Sequence, residues 1–329
     1  MKREISRSRF EEILQHFAGR SVLVVGDLMV DEYLRGTARR ISQEGPFPVI
    51  EVEAEEFKPG GAANVGNSLR ALGAEARLVG VVGNDEIGRL LRAELAAWSI
   101  DVSGILTDPS RPTTRKTRIV AQHQQVLRVD REQTKAVSAA MADLLVNHVA
   151  EALPQVDAIL VSDYRKGVIT PEVAERISGM AKQLGKPLVT NPKPTSAPWL
   201  RGARVLSLNH FEAEELGRER LPEEEASLHL YGDKLLKLLD VETLVITQRE
   251  KGLAYWQRDG QYRHVPAHSV EVADGAGAGD TTISAMTLAL ISGADTYEAA
   301  VIANRAGACV VRKSGVATVT VEELLHLEN

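Results

Sequence analysis

The most chemically suggestive stretch of the chain is Asp274-Gly275-Ala276-Gly277-Ala278-Gly279-Asp280, followed by the mostly apolar run TTISAMTLAL. Glycines permit tight turns and close backbone approach, and the run after them reads as a helix. The backbone N–H groups of Gly277, Ala278 and Gly279 would then converge at a helix N-terminus, a site for an anion such as a phosphoryl group in transfer. Asp280 falls in the same first turn. A carboxylate beside an anion site suits one task, taking a proton from an attacking hydroxyl. A flexible loop with an N-capping Asp explains the same spacing equally well. The segment is neither a P-loop, which needs Gly-Lys-Ser/Thr, nor a dinucleotide fingerprint directly after a strand.

Other polar residues stand where elements should end. Asp27 and Asp31 follow an apolar strand in GDLMVDEY, where they could accept hydrogen bonds from sugar hydroxyls or simply be solvated. Gly60 and Gly61 open a helix, and Asn64, one turn in, offers a neutral amide suited to a hydroxyl. Asn209 and Glu212 share a helix face, and equally make a capping-box pattern. Cys309 is the only cysteine, so no disulfide forms within the chain; a buried structural thiol is expected.

These residues need a scaffold of strand ends. SVLVVG, ARLVGVVG, DAILVSD, PLVTN, ARVLSLN and TLVITQ read as buried strands. Helices are expected over about 8–17, 87–98, 136–153, 171–184, from 211, 228–239, 279–291 and 296–311. Apolar strands alternating with helices imply an α/β fold, a mostly parallel central sheet covered on both faces. Ligands then bind beyond the carboxyl ends of the strands. Residues 33–57 are polar, carry two prolines and end in an alternating segment, which suggests a small β flap; TRKTRIVA and QQVLRVD are two further strands. With 329 residues, 44% hydrophobic, the chain can bury a large core. The net charge of -6 argues against a nucleic-acid partner. No apolar run is long enough to span a membrane, and the charged N-terminus does not read as a secretory signal, so a cytoplasmic protein is expected.

On these residues the chain resembles the PfkB (ribokinase-like) carbohydrate kinases along nearly its whole length. Gly277, Ala278, Gly279, Asp280 and Asp274 match that family's C-terminal signature; Gly275 and Ala276 depart from it and lack a hydroxyl. Gly60, Gly61 and Asn64 match its sugar-contacting segment, and Asn209 to Glu212 its NxxE motif. The resemblance implies one domain over 1–329 with residues 33–57, and also 112–130, in a β lid. It makes Asp280 the base and assigns the Gly277, Ala278 and Gly279 amides to the transferring group. Asp27, Asp31, Gly60, Gly61 and Asn64 would hold a sugar. Lys193, Asn209, Thr247, Gly252, Asn304, Gly307 and Ala308 would lie along ATP, and Glu212 would hold magnesium through water.

Within the family, residues 40–49 (RISQEGPFPV), 112–118 (PTTRKTR), 124–130 (QQVLRVD) and 163–167 (DYRKG) are similar to the heptose-7-phosphate kinases of lipopolysaccharide-precursor synthesis. The acceptor would be the sugar's 1-hydroxyl. A phosphorylated sugar needs cations, and Lys116, Arg118, Arg128 and Lys166 are the candidates. The lid implies a homodimer. Asn191 stands where the subgroup has Asp, and Arg165 where it has a small residue. The alternatives are a kinase of the same family for ribose, fructose, a fructose phosphate or a nucleoside, and a catalytically idle sugar- or nucleotide-binding protein. No HxGH motif is present, so the subgroup's nucleotidyltransferase activity is not expected.

Overall fold

A computed structural model of the chain describes residues 4–122 and 124–327. Helix α1 (Arg7–Gln15) leads into strand β1 (Ser21–Gly26), and two long strands follow, β2 (Leu28–Ile41) and β3 (Pro48–Gly61). The chain continues through α2 (Ala62–Ala71), β4 (Glu75–Gly83), α3 (Glu86–Ala97), β5 (Asp101–Asp108), β6 (Thr114–Ala121), β7 (Gln124–Arg131) and α4 (Ala139–Ala152). Then come β8 (Ala158–Ser162), α5 (Pro171–Gln183), β9 (Leu188–Asn191), β10 (Val205–Asn209), α6 (His210–Gly217), α7 (Glu225–Leu239) and β11 (Thr243–Thr247). The C-terminal part holds β12 (Leu253–Gln257), β13 (Tyr262–Val265), α8 (Ala278–Ile291), α9 (Thr296–Val310) and α10 (Val321–His326).

Nine strands form one sheet in the order β13-β12-β11-β10-β9-β8-β1-β4-β5. Every pair from β11 to β5 is parallel, and the pairs β11–β12 and β12–β13 are antiparallel. β1 is buried along its whole length, which is why its residues are apolar on both faces. One core packs α1, α2, α8 and α9 against the sheet through Ile13, Leu69, Ile283 and Ile302. The other packs α4, α5 and α7 through Leu145, Ile177 and Leu235. The parallel strands deliver Asp27, Asp163, Lys193, Asn209 and Thr247 to one edge, just beyond or at their carboxyl ends.

A second sheet, β3-β2-β6-β7, forms the lid. It is longer than the expected 33–57 segment, because β2 leaves β1 after one residue and β3 runs straight into α2. Residues 114–121 and 124–131 supply its other two strands. Side chains alternate along a strand, so one lid face carries Asp31 beside Lys58 and Lys116, then Tyr33 beside Glu56 and Arg118, with Asp130 and Arg128 completing the two rows. β5, β12, β13 and α10 were not anticipated. β5 has only three buried residues, interrupted by polar ones, so it lacks a buried-strand pattern.

β1 and β8 touch at Gly26, where an added Cβ would lie 1.9 Å from the Ser162 carbonyl oxygen. Gly26→Ala should therefore cost about 1–3 kcal/mol or more, read as a lowered denaturation midpoint in urea. An unchanged midpoint would mean the two strands can part without loss.

Candidate active site

Helix α8 begins at Gly277, whose left-handed φ of 77° only glycine adopts freely. A Cβ there would also meet Asn64 Nδ2 at 2.9 Å. Three residues on, Asp280 is buried, 4% exposed. Its Oδ2 accepts from Asn64 Nδ2 at 2.8 Å and its Oδ1 from the Tyr164 hydroxyl at 2.7 Å. Burial pushes this carboxyl up to about 6, while the two donated hydrogen bonds pull the other way. Among the described residues, the Gly279 and Asp280 amides have no backbone acceptor, and Gly279 faces open space. The helix start thus presents free donors beside a buried carboxylate. Asp274 fixes the preceding loop, accepting from the Ala276 amide at 2.9 Å and the Gly315 amide at 3.0 Å.

Asn64 sits in the first turn of α2, 1% exposed, and its Oδ1 is buried without a protein partner. A buried amide oxygen of this kind calls for a donor. Asp31 is buried and paired with Arg118. Gly60 lies against it, since a Cβ there would fall 2.3 Å from Asp31 Oδ2. Gly61, at φ 57°, caps α2. Asn64 and Asp280 are directly bonded, and Asp31 lies near enough for its charge to be felt at Asp280.

Asp27 is tied to the main chain. Both its oxygens are taken by backbone amides of the loop after β8: Tyr164 at 2.8 Å, Lys166 at 2.9 Å and Val168 at 3.2 Å. It staples that loop, committing three of its acceptor positions to main-chain donors. Burial, and then the charge of Asp163, push it up to about 7.

The four candidate cations, three on the lid and Lys166 in the loop after β8, differ. Arg118 is held by Asp31, and Lys166 is paired with Glu132 at 2.7 Å. Arg128 pairs with Asp130 on its own strand at 2.9 Å and is half exposed, so it stands at the margin of the group. Lys116 has no ion pair among the described residues; its ammonium lies 5.6 Å from the Tyr164 ring centre. Burial makes it easier to deprotonate than an ordinary lysine.

On the nucleotide side, Lys193 Nζ meets Glu212 Oε1 at 2.5 Å and lies 5.1 Å from the Tyr164 ring centre. Asn209 and Glu212 do form the capping box at the start of α6. Thr247 ends β11, and Gly252, at φ 93°, closes the turn into β12, where a Cβ would strike the Val265 carbonyl oxygen at 2.1 Å. Asn304 ties α9 to the loop after β13 through the Pro266 carbonyl oxygen at 2.8 Å. Gly307 lets α8 and α9 approach, with Thr282 Oγ1 only 2.9 Å from where a Cβ would be. Ala308 is nearly buried on the same helix.

A family model for pfkB family carbohydrate kinases matches residues 20–323. The chain belongs to this family. It is 40% identical over 321 residues to the bifunctional protein HldE of Geobacter metallireducens, covering 98% of this chain and 65% of that protein. Against the bifunctional protein HldE of Nitrobacter hamburgensis the identity is 39% over 317 residues, 96% of this chain and 65% of the relative. The chain thus spans just under two thirds of the length of these relatives. The fold matches Arabidopsis thaliana ribokinase complexed with ribose and ATP, with a TM-score of 0.74 at 19% identity over 94% of this chain and 99% of the other. It also matches Escherichia coli phosphofructokinase-2 in complex with potassium, with a TM-score of 0.77 at 16% identity over 93% and 96%.

In this pfkB kinase no group of three or more His, Cys, Asp or Glu among the described residues could cage a metal ion. Glu212 offers a single carboxylate, already engaged by Lys193 and by the Asn209 amide. That suits magnesium carried in by nucleotide phosphates and held through water. Sequence reasoning missed Tyr164 as a site residue, although it lies in the matched segment DYRKG at the end of β8. The strand-end position was the available signal.

Gly277→Ala should lower stability by about 1–2 kcal/mol from its left-handed backbone alone, and should also displace Asn64. Thermal unfolding checks this, and an unchanged midpoint with unchanged turnover would show the helix start to be tolerant.

Proposed function

We propose that the chain transfers the γ-phosphoryl group of ATP, with magnesium, to the 1-hydroxyl of D-glycero-D-manno-heptose 7-phosphate. That places it in ADP-heptose and lipopolysaccharide-precursor synthesis. One observation carries the phosphotransfer: a buried carboxylate, Asp280, held beside the free amides of a helix start and bonded to an amide whose own oxygen awaits a donor. The heptose assignment is supported by the four matched segments, by relatives named HldE, and by the cations on the lid face.

Phosphoryl transfer asks the protein chiefly for positioning and charge neutralisation. The Asn64 oxygen would accept from a sugar hydroxyl, and Asp31 with Arg118 would fix the ring's orientation. Asp280 would take the proton as the acceptor oxygen bonds to phosphorus and the bond to ADP breaks. The amides of Gly277 and Gly279 would stabilise the transferring group, joined by that of Ala278 once it leaves the Gly275 carbonyl oxygen, to which it donates at 3.4 Å. Magnesium, when bound, neutralises charge on the phosphates. Lys193 and Glu212 would line the nucleotide phosphates. Thr247, Gly252, Asn304 and Ala308 would border the nucleoside. Lys116 would meet the sugar's own phosphate, with Arg118, Lys166 and Arg128 around it. A closed lid would exclude water, which otherwise competes as acceptor.

Two further parts of the reading concern its setting. Among the described residues no helix is long and apolar enough to cross a membrane, and ATP and sugar phosphates are met in the cytoplasm. The lid edge β7 is exposed throughout, with Val126, Leu127 and Val129 about half exposed. Such an edge is a template for pairing, and a homodimer through the lid would cover it.

Asp280→Asn should abolish ADP release in the presence of sugar while leaving sugar binding intact; wild-type kcat would remove Asp280 from the base role. A base that gains its proton near pH 6 should lose activity on acidification, about tenfold per pH unit below that point. A flat profile from pH 7 to pH 4.5 would contradict the assignment. Lys116→Ala should raise KM for the sugar phosphate about tenfold or more and leave that for ATP unchanged. A sugar screen by ADP release in which only neutral sugars are turned over would overturn the heptose phosphate.

A further inference from the structure

The base has two donors. Asn64 belongs to the sugar segment, and Tyr164 has been given no task. Its hydroxyl donates to Asp280 Oδ1 at 2.7 Å. Its backbone amide is pinned by Asp27 Oδ2 at 2.8 Å, and the next residue, Arg165, turns through a left-handed φ of 58°. Asp163 takes the Arg165 amide at 2.9 Å. Two buried carboxylates thus fix the backbone on either side of the ring. The ring has Lys116 from the lid and Lys193 from the nucleotide side within 6 Å of its centre. A tyrosine fixed this firmly, with its hydroxyl on a carboxylate, does more than fill space.

We propose that Tyr164 is a positioning residue for phosphoryl transfer: its hydroxyl fixes the rotation of the Asp280 carboxylate so that a lone pair is aimed at the acceptor hydroxyl. This rests on Asp280 being the base. A carboxylate has about four acceptor positions, so Asn64 and Tyr164 leave room for a substrate hydroxyl. Burial and the charge of Asp280 push the phenol well above its ordinary value, so it stays a donor at every working pH. The charges that act on Asp280 besides the phenol are those of Asp31 and Lys193. Neither is altered by removing one oxygen from Tyr164.

The test is Tyr164→Phe, which keeps the ring and its backbone anchor. Losing one hydrogen bond to a charged group should lower kcat about tenfold or more, with KM for ATP within twofold. A donor to the ionised form holds a carboxyl's pKa down, so its loss should move the acid limb of the pH–kcat profile to higher pH. Replacement of Tyr164 by 3-fluorotyrosine, a stronger donor, should move that limb the other way. The thermal midpoint serves as the structural control. An inactive Asp280→Asn with Tyr164→Phe at wild-type kcat and an unmoved limb would sink the tyrosine alone. An active Asp280→Asn would sink the base and this role together. A lower kcat in Tyr164→Phe with the limb unmoved in both tyrosine variants would assign the residue to packing and overturn the proposal.

Discussion

A buried carboxylate at the start of a helix is the constraint around which this molecule is arranged. Taking Asp280 out of water is unfavourable unless donors replace the lost hydration. The two that do so lie 216 and 116 residues away in the chain. One comes from the helix that follows the lid and the other from the loop after β8. Meeting them requires that β1, β8 and their crossovers end at one edge, which a parallel sheet ensures. It also requires left-handed glycines, Gly61 and Gly277, at the two helix starts that face each other. The fold is the device by which two distant segments reach one carboxylate.

The same physics explains Asp27. A strand-end acid 1% exposed must also be satisfied, and alternate residues of the neighbouring loop, Tyr164, Lys166 and Val168, supply the amides. Burial, and then the nearby charge of Asp163, raise the cost of ionising Asp27. The loop they hold carries Tyr164 and Lys166, so two acids at the bottom of the site order the groups above them. Asp31, on the lid strand β2, is paired with Arg118 instead.

Elements were legible where burial is two-sided, because long apolar runs such as SVLVVG admit little else. The strands β5 and β13 are short or partly exposed, and their residues carry no period to read. For the site, Asp280 and Asn64 could be singled out from local spacing and family likeness. The fate of Asp27 could not. A carboxylate at a strand end looks the same in sequence whether it awaits a ligand or staples a loop, since the deciding amides lie more than 130 residues away. Tyr164 was hidden for the same reason: its partner is set by tertiary convergence and by nothing in its neighbours. Asn209 and Glu212 show the reverse case. The capping box forms, and because it fixes Glu212 just past the end of β10 it is compatible with the proposed nucleotide role.

The departures from the family pattern can be weighed in the same terms. Gly275 and Ala276 lack a hydroxyl, but the Ala276 amide still meets Asp274, and Asp274 still meets Gly315. The loop's shape therefore rests on the main chain and one aspartate. Asn191 replaces a carboxylate with an amide whose Nδ2 donates to the Ser207 carbonyl oxygen at 3.0 Å, tying β9 to β10. The strand end keeps its anchor and loses a negative charge. Beside it, Lys193 and Glu212 neutralise each other. The nucleotide edge is thus less acidic than the family pattern would make it. A phosphate entering there meets less repulsion, and magnesium finds fewer carboxylates. On the proposed reading, charge neutralisation would fall more heavily on Lys193 and the helix amides, and Glu212 would orient a hydrated ion rather than bind it tightly.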